Sequence, residues 1–391
     1  MTKKRIFSEL LLLLSPILLF FISAFALKDN EWLEAFSIYL RLVVPIILIV
    51  FSTIHYFYIN PYKISVKLYS LHFGAMFTIF IFFSVIVYTA FNESILIDVK
   101  GRSSLGYFVN VNIINIAYFV WGILFAKYHG VDSSKIFFKV FLSLFLILLV
   151  NISLDTLNID YQALSLKNES DQKSHLGYTD FYFLVAFFSF NSANGKIHKR
   201  IIVVMFFAGL FFLGGRSAMI FSLVPYLVIY HRKNYSLILL SALMFILASY
   251  LYRAQIFAIV TDDISILERL LFFQRFITFF KLNFFSHSIN TAILIEGDLG
   301  KHVHNCFVYL EAYGIIGFSV VISFLVSLYI KLNKLNRGKD RQNLMFLFFY
   351  VILQFLLAKT IGWVHLWLLL GVLIGMYYKV EKEQREVIYK R

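Results

Sequence analysis

The sequence predicts an all-α, polytopic membrane protein with about twelve transmembrane helices. Of its 391 residues, 60% are hydrophobic and only 15% are charged, an apolar share above the roughly half that is usual in soluble domains. The apolar residues form uninterrupted runs of about 20 residues, which is the length that crosses a bilayer as a helix. They do not alternate with polar residues as a membrane β-barrel requires.

The apolar runs define twelve spans within a single membrane domain of residues 1–391. The first run resembles a signal peptide because Lys3, Lys4 and Arg5 precede it, but its length favours a retained span. The sixth span is the shortest, and Asp180 lies in its leading turn. The spans are centred near Leu14, Ile47, Phe80, Ala117, Leu144, Val185, Met205, Val224, Met244, Val320, Tyr350 and Leu370.

The basic residues predict which ends of the spans face the cytoplasm. If both termini are cytoplasmic, 23 of the 36 Lys and Arg residues lie on the inner side, whereas 16 of the 22 Asp and Glu residues lie on the outer side. Cytoplasmic connections of membrane proteins carry an excess of basic residues, so we expect both termini in the cytoplasm. The net charge of +14 therefore marks sidedness and does not indicate a nucleic-acid partner.

A tight outer connection, Gly214–Ser217, joins the seventh and eighth predicted spans. Both spans are short, so Arg216 is expected among the lipid head groups, where a recessed guanidinium needs an anionic partner. Guanidinium binds phosphate through paired hydrogen bonds, and Gly215 and Ser217 flank it at the positive end of the eighth helix. We interpret Arg216 as a phosphate ligand; the alternative is an arginine that reaches ordinary lipid phosphate.

The largest outer connection is predicted to form a loop subdomain, residues 255–303, between the ninth and tenth spans. It is too apolar for a disordered segment. Apolar and charged residues interleave over residues 264–285, a pattern that favours a helix lying along the membrane surface. Arg269 and Arg275 lie in this stretch and add cations on the outer side.

Two histidines, His302 and His304, precede the tenth span, and Asn305 follows them. An imidazole at the boundary between water and lipid can accept a proton near neutral pH. Glu311 falls seven residues after His304 on the same helical face, and a carboxylate within a span is a functional candidate. The alternatives are a histidine that only lines the entrance of the helix and a glutamate that pairs with an arginine.

Together these features resemble the O-antigen polymerase and O-antigen ligase superfamily, which are membrane glycosyltransferases of the GT-C type. The motif match is confined to residues 214–318. The resemblance as a whole rests on the twelve predicted spans and on three motifs in order. The motifs are the Gly214–Ser217 tip, Glu268 and Arg269 in a large late outer loop, and His304 and Asn305 before a helix that contains Gly314 and Gly317.

The resemblance implies transfer of a sugar chain from undecaprenyl pyrophosphate to an acceptor hydroxyl on the outer face of the membrane, without a metal or another cofactor. Arg216 and Arg269 would hold the pyrophosphate, and His304 would act as the base. The candidates for substrate binding are Gly215, Ser217, Arg275, His302, Asn305 and Glu311.

The partners that the resemblance implies are a lipid-linked oligosaccharide donor, a similar acceptor, membrane lipid and a chain-length regulator. A polymerase of repeat units is the favoured interpretation. The alternatives are an O-antigen ligase, which transfers polymer to the lipid A core, and a transporter or flippase of lipid-linked sugars.

Overall fold

The computed structural model describes residues 97, 99, 101, 103–128, 134–154, 176–193, 195–212, 216–230, six residues between 270 and 278, 306–336, 338–358 and 363–389. These residues form eight long helices and no strand, so the described part of the chain is all-α, as the sequence predicts. The helices are α1 (Ser104–Tyr128), α2 (Ser134–Leu154), α3 (Leu176–Ser192), α4 (Lys196–Phe212), α5 (Arg216–Tyr230), α6 (Phe307–Lys334), α7 (Lys339–Leu357) and α8 (Val364–Tyr389).

Each of these helices contains the centre of one predicted span, which confirms eight of the twelve predicted spans as helices. Within the described part of the chain, α6 alone is long and apolar enough by itself to cross a membrane, with a mean hydropathy of 2.2. Shorter apolar stretches lie in α1, α2 and α5. The predicted spans centred near Leu14, Ile47, Phe80 and Met244 lie outside the described residues.

The ends of α6 and α7 follow from their local sequence. Lys331 and Lys334 occupy the last turn of α6, where positive charge complements the helix dipole, and the chain becomes extended at Leu335. Gly338 is extended directly before α7, and Asp340 lies in the first turn of that helix, where negative charge is favoured.

Three glycines, Gly122 in α1 and Gly371 and Gly375 in α8, allow close packing between these two helices. A Cβ atom on Gly371 would overlap the carbonyl oxygen of Phe119, and one on Gly375 would lie 2.6 Å from the carbonyl oxygen of Ile123. Small residues at this spacing let two helix backbones approach closely. Because the contacts advance in the same direction along both helices, α1 and α8 are parallel and begin at the same end of the bundle.

Aromatic rings form the centre of the core, where α2, α3 and α7 meet. The rings of Phe183 and Tyr350 are stacked with centroids 3.6 Å apart, and those of Phe137 and Phe188 with centroids 4.9 Å apart. Such pairs add to the stabilisation that burial of the rings itself provides. The core therefore fixes α3 between α2 and α7.

One end of the bundle, which we call the polar end, is where α6 and α8 begin and α7 terminates. The backbone N–H of Cys306, directly before α6, donates a 3.3 Å hydrogen bond to the carbonyl oxygen of Leu356 near the end of α7. Asp180 in the first turns of α3 contacts Trp363, directly before α8. The helix ends that the charge pattern assigns to the outer side are therefore neighbours in the fold.

The opposite end, which we call the basic end, is where α3 terminates and α7 begins. The Lys339 ammonium donates a 3.1 Å hydrogen bond to the carbonyl oxygen of Asn191 in the last turn of α3. The backbone N–H of Asn336, between α6 and α7, donates to the side chain of Gln384 in α8. The helix ends that the charge pattern assigns to the cytoplasm thus meet here.

Candidate functional site

Asp180 is the centre of a hydrogen-bond network that joins α3, α7 and the start of α8. Its side chain is buried and accepts a 2.7 Å hydrogen bond from the Tyr350 hydroxyl at Oδ1 and a 2.6 Å bond from the Trp363 indole N–H at Oδ2. The Gln354 amide donates a 3.0 Å bond to the Tyr350 hydroxyl oxygen. Burying a carboxylate is costly unless donors surround it, so these bonds and the positive end of the α3 dipole stabilise Asp180 in the interior.

His365 lies beside this network in the first turn of α8. The centroid of its ring is 4.7 Å from that of Phe181, 5.9 Å from that of Trp363 and 6.0 Å from that of Tyr118. His365 and Trp363 are both partly exposed, unlike Asp180. Trp363 is therefore the partly exposed donor of the network, and His365 packs beside it.

A second buried polar pair lies between α6 and α1. The Tyr313 hydroxyl donates a 2.7 Å hydrogen bond to Oδ1 of Asn112, and both side chains are almost fully buried. Glu311, two residues before Tyr313, is 9% exposed, so the predicted carboxylate does lie in the interior of the bundle. Like Asp180, it lies in the half of its helix nearer the polar end.

Gly314 interrupts α6. Its dihedral angles are φ 66° and ψ −174°, a conformation that is accessible to glycine and strained for any residue with a Cβ atom. Gly314 lies within α6, as the sequence predicts, but the helix is kinked there, because glycine adopts a backbone conformation that residues with a Cβ atom avoid. A half-helix, Phe307–Tyr313, precedes the break, and Ile315–Lys334 follows it.

The predicted outer loop touches the start of α6 through a pair of aromatic rings. The centroids of Phe273 and Phe307 are 6.0 Å apart. The described residues around Phe273 are helical, and the Thr278 hydroxyl donates a 2.9 Å hydrogen bond to the carbonyl oxygen of Gln274 one turn earlier. This confirms a helical segment within residues 264–285; its position along a membrane surface and the subdomain of residues 255–303 stay predictions.

The structure describes three of the predicted site residues in whole or in part. Arg216 is the first residue of α5, although its side chain lies outside the described part; Ser217 follows it and is partly buried, and Glu311 is buried in α6. The predicted site residues outside the described part are Gly215, Arg269, Arg275, His302, His304 and Asn305.

The packing of α4 on α3 shows at which end of the bundle Arg216 lies. The Lys199 ammonium, near the start of α4, lies 5.2 Å from the ring centre of Phe190 near the end of α3. The Tyr182 hydroxyl, near the start of α3, donates a 2.8 Å hydrogen bond to the carbonyl oxygen of Met205 further along α4. The two helices are therefore antiparallel, α4 terminates at the polar end, and Arg216 begins α5 there.

Sequence reasoning missed the Asp180 network. The carboxylate was visible as a charge in the leading turn of an apolar span, but its donors, Tyr350 and Trp363, lie more than 150 residues away in the chain. Among the residues that the structure describes, no three His, Cys, Asp or Glu side chains are grouped so that they could hold a metal ion.

No family model, curated protein or solved structure matches this chain. The resemblance to the O-antigen polymerase and ligase superfamily therefore rests on the residues and their order alone.

Proposed function

We propose that this chain polymerises undecaprenyl-pyrophosphate-linked oligosaccharide repeat units into O-antigen or a related surface polysaccharide. It does so as a protein of twelve spans in the bacterial cytoplasmic membrane, with both termini in the cytoplasm and the polar end of the bundle towards the periplasm. The reaction needs a lipid-linked donor, a lipid-linked acceptor and no metal.

The contact between Phe273 and Phe307 carries this proposal. Phe273 lies between Arg269 and Arg275 in sequence, and Phe307 lies three residues after His304. Their contact supports the proposal that the arginines of the outer loop lie near the chain that leads into α6. An active site of this kind needs such a meeting of a cation and a base.

In the proposed site, Arg216 and Arg269 hold the pyrophosphate of the donor. Arg216 begins α5 at the polar end, so the free backbone N–H groups and the dipole of that helix add to its charge. Gly215 and Ser217 flank it and allow the phosphate oxygens to approach the backbone. The fixed positive charge of the two arginines stabilises the negative charge that grows on the departing pyrophosphate. The arginines thus take the role that a metal ion plays in other enzymes.

His304 acts as the base for the acceptor. It takes the proton from the acceptor hydroxyl while that oxygen bonds to the anomeric carbon of the donor sugar, and the bond from that carbon to the pyrophosphate oxygen breaks. The electron pair of the broken bond leaves with the lipid pyrophosphate. The residues that bind and orient the two saccharides are Arg275, His302, Asn305 and Glu311.

A complementation experiment tests the function itself. In a strain that lacks this gene, we expect surface lipopolysaccharide that carries a single repeat unit, and restoration of long chains by the intact gene. Bare core with accumulated lipid-linked polymer would instead indicate the ligase reaction. Purified protein in lipid that elongates a synthetic pyrophosphate-linked repeat unit without any ion gradient would exclude transport as the main role.

Single substitutions test the site. His304→Ala, Arg216→Ala and Arg269→Ala are each expected to lower the rate of elongation by about 100-fold or more, because a base or a fixed cation is lost. His198→Ala is the matched control, since that histidine lies near the start of α4 at the basic end, with its ring 6.5 Å from that of Phe138. Normal elongation by the His304 and Arg216 variants would remove the basis of the proposed site.

A further inference from the structure

A kink at Gly314 separates the half-helix Phe307–Tyr313 from the rest of α6. The direction of a regular helix is fixed by its backbone geometry, but Gly314 departs from that geometry with φ 66° and ψ −174°. The orientation of the half-helix therefore depends also on its contacts with other elements.

Two of these contacts lie at the start of the half-helix. The backbone N–H of Cys306 bonds to Leu356 in α7, and the ring of Phe307 packs against Phe273 of the outer loop. In the middle, the ring of Tyr309 packs against Phe355 of α7 with centroids 4.6 Å apart. These contacts hold one side of the half-helix against α7 and the loop.

The contact at the other end is of a different kind. Tyr313 is the last residue before the break, and its hydroxyl bonds to Asn112 of α1 in the interior of the bundle. A directional bond between two buried side chains fixes distance and angle more closely than apolar packing does. It is thus the contact that can define how the half-helix is rotated and tilted.

We propose that Tyr313 and Asn112 are positioning residues, which form a latch that orients the half-helix Phe307–Tyr313 and, with it, Glu311 and the preceding His304. The consequence for catalysis rests on the proposed function, in which His304 is the base. The latch itself rests only on the break at Gly314 and on the contacts of the half-helix. Neither Tyr313 nor Asn112 touches a reacting atom in this scheme.

Cys306 provides a direct probe of the latch, because it is the single cysteine of the chain and lies at the start of the half-helix. Burial raises the pKa of its thiol, so the reactive thiolate is scarce at neutral pH and labelling is slow. If the half-helix is released, the thiol gains solvent and its pKa falls. A water-soluble maleimide then reacts faster, and the pH profile of the reaction moves to lower pH.

The experiment uses the full chain in lipid nanodiscs. Tyr313→Phe and Asn112→Leu are each expected to speed the labelling of Cys306 severalfold. The double variant should label no faster than either single variant, because both substitutions remove one shared interaction. Tyr182→Phe is the matched control: it also removes one buried hydroxyl and one hydrogen bond, but between α3 and α4.

Kinetics with a synthetic repeat unit form the second measurement. A small misplacement of a catalytic group lowers the rate steeply, so we expect kcat to fall by about 10- to 100-fold in Tyr313→Phe, with KM little changed and with Tyr182→Phe unaffected. Labelling of Tyr313→Phe at the rate of the unsubstituted protein would overturn the proposal, as would faster labelling with unchanged kcat. If the unsubstituted protein elongates nothing, the proposed function fails and the labelling rates alone decide the latch.

Discussion

The two ends of the bundle place their charged residues in different surroundings. At the polar end, Asp180 is 2% exposed and accepts hydrogen bonds from Tyr350 and Trp363, which lie far away in the chain. At the basic end, the side chain of Arg385 is 67% exposed and pairs with Glu381, one turn earlier in the same helix. A buried carboxylate depends on tertiary contacts, whereas an exposed pair is solvated and worth little.

Like charges also lie close together at the basic end. Burial and the nearby ammonium of Lys339 lower the pKa of Lys199, and the Lys199 ammonium lies over the ring of Phe190. Lys339 itself is exposed, so water screens much of this repulsion. The difference teaches that charged side chains at the basic end are partly solvated, whereas the carboxylate at the polar end is buried and depends on donors from other helices.

The largest expected effect is that of Asp180→Leu at the polar end. The substitution removes the acceptor of the buried Tyr350 hydroxyl and of the partly exposed Trp363 indole N–H, and a buried donor that loses its acceptor costs about 1–3 kcal/mol. We expect a large drop in the unfolding temperature of the detergent-solubilised protein, and a smaller one for Asp180→Asn, which retains an acceptor. If Asp180→Leu unfolded at the same temperature as the unsubstituted protein, the Asp180 network would contribute no more to stability than the exposed charges of the basic end.

Gly371→Ala tests whether close packing between the ends matters as much as the polar network. The added Cβ atom overlaps the carbonyl oxygen of Phe119, so α1 and α8 must move apart, at a cost of about 1–3 kcal/mol. Gly338→Ala is the control, because the site before α7 is open and its backbone is extended. Equal unfolding temperatures for the two variants would contradict the close approach of α1 and α8.

Tyr350→Phe removes two hydrogen bonds from the Asp180 network, the one that the hydroxyl donates to Asp180 and the one that it accepts from Gln354. Trp363 still donates to the carboxylate, so we expect a loss of about 1–3 kcal/mol for the two bonds, smaller than that of Asp180→Leu. Tyr329→Phe, which alters a tyrosine that is 40% exposed on α6, should change the unfolding temperature less. Identical shifts in the two variants would argue against a special role for burial at the polar end.

The smallest effect is expected for Arg385→Ala at the basic end. An exposed pair of charges one helical turn apart contributes about 0.3–0.5 kcal/mol, and salt screens it. The unfolding temperature should therefore stay within the scatter of replicate measurements at both low and high salt. A loss comparable to that of Tyr350→Phe would show that the basic end also depends on specific pairs.

Patterns among residues that are close together in sequence explain which features of the fold could be predicted. The apolar run around Val320 indicates a helix whatever its neighbours are, because the backbone must satisfy its own hydrogen bonds in an apolar environment. The alternation of apolar and charged residues over residues 264–285 likewise predicts the helical turns that the structure describes there. The apolar side chains of Leu270 and Ile277 in this stretch are exposed. The grouping of basic residues at one set of helix ends is also read directly from the chain.

The sequence by itself determined the all-α class, the existence of α1 to α8 and the charge difference between their ends, since each of these depends on residues within about one span of each other. Only the tertiary structure decided that Asp180 meets Tyr350 and Trp363, that Gly314 breaks α6, and that Tyr313 bonds to Asn112. A partner across the bundle leaves no trace in the local pattern of either helix. The chain alone shows where a polar residue is costly, and the fold shows what compensates that cost.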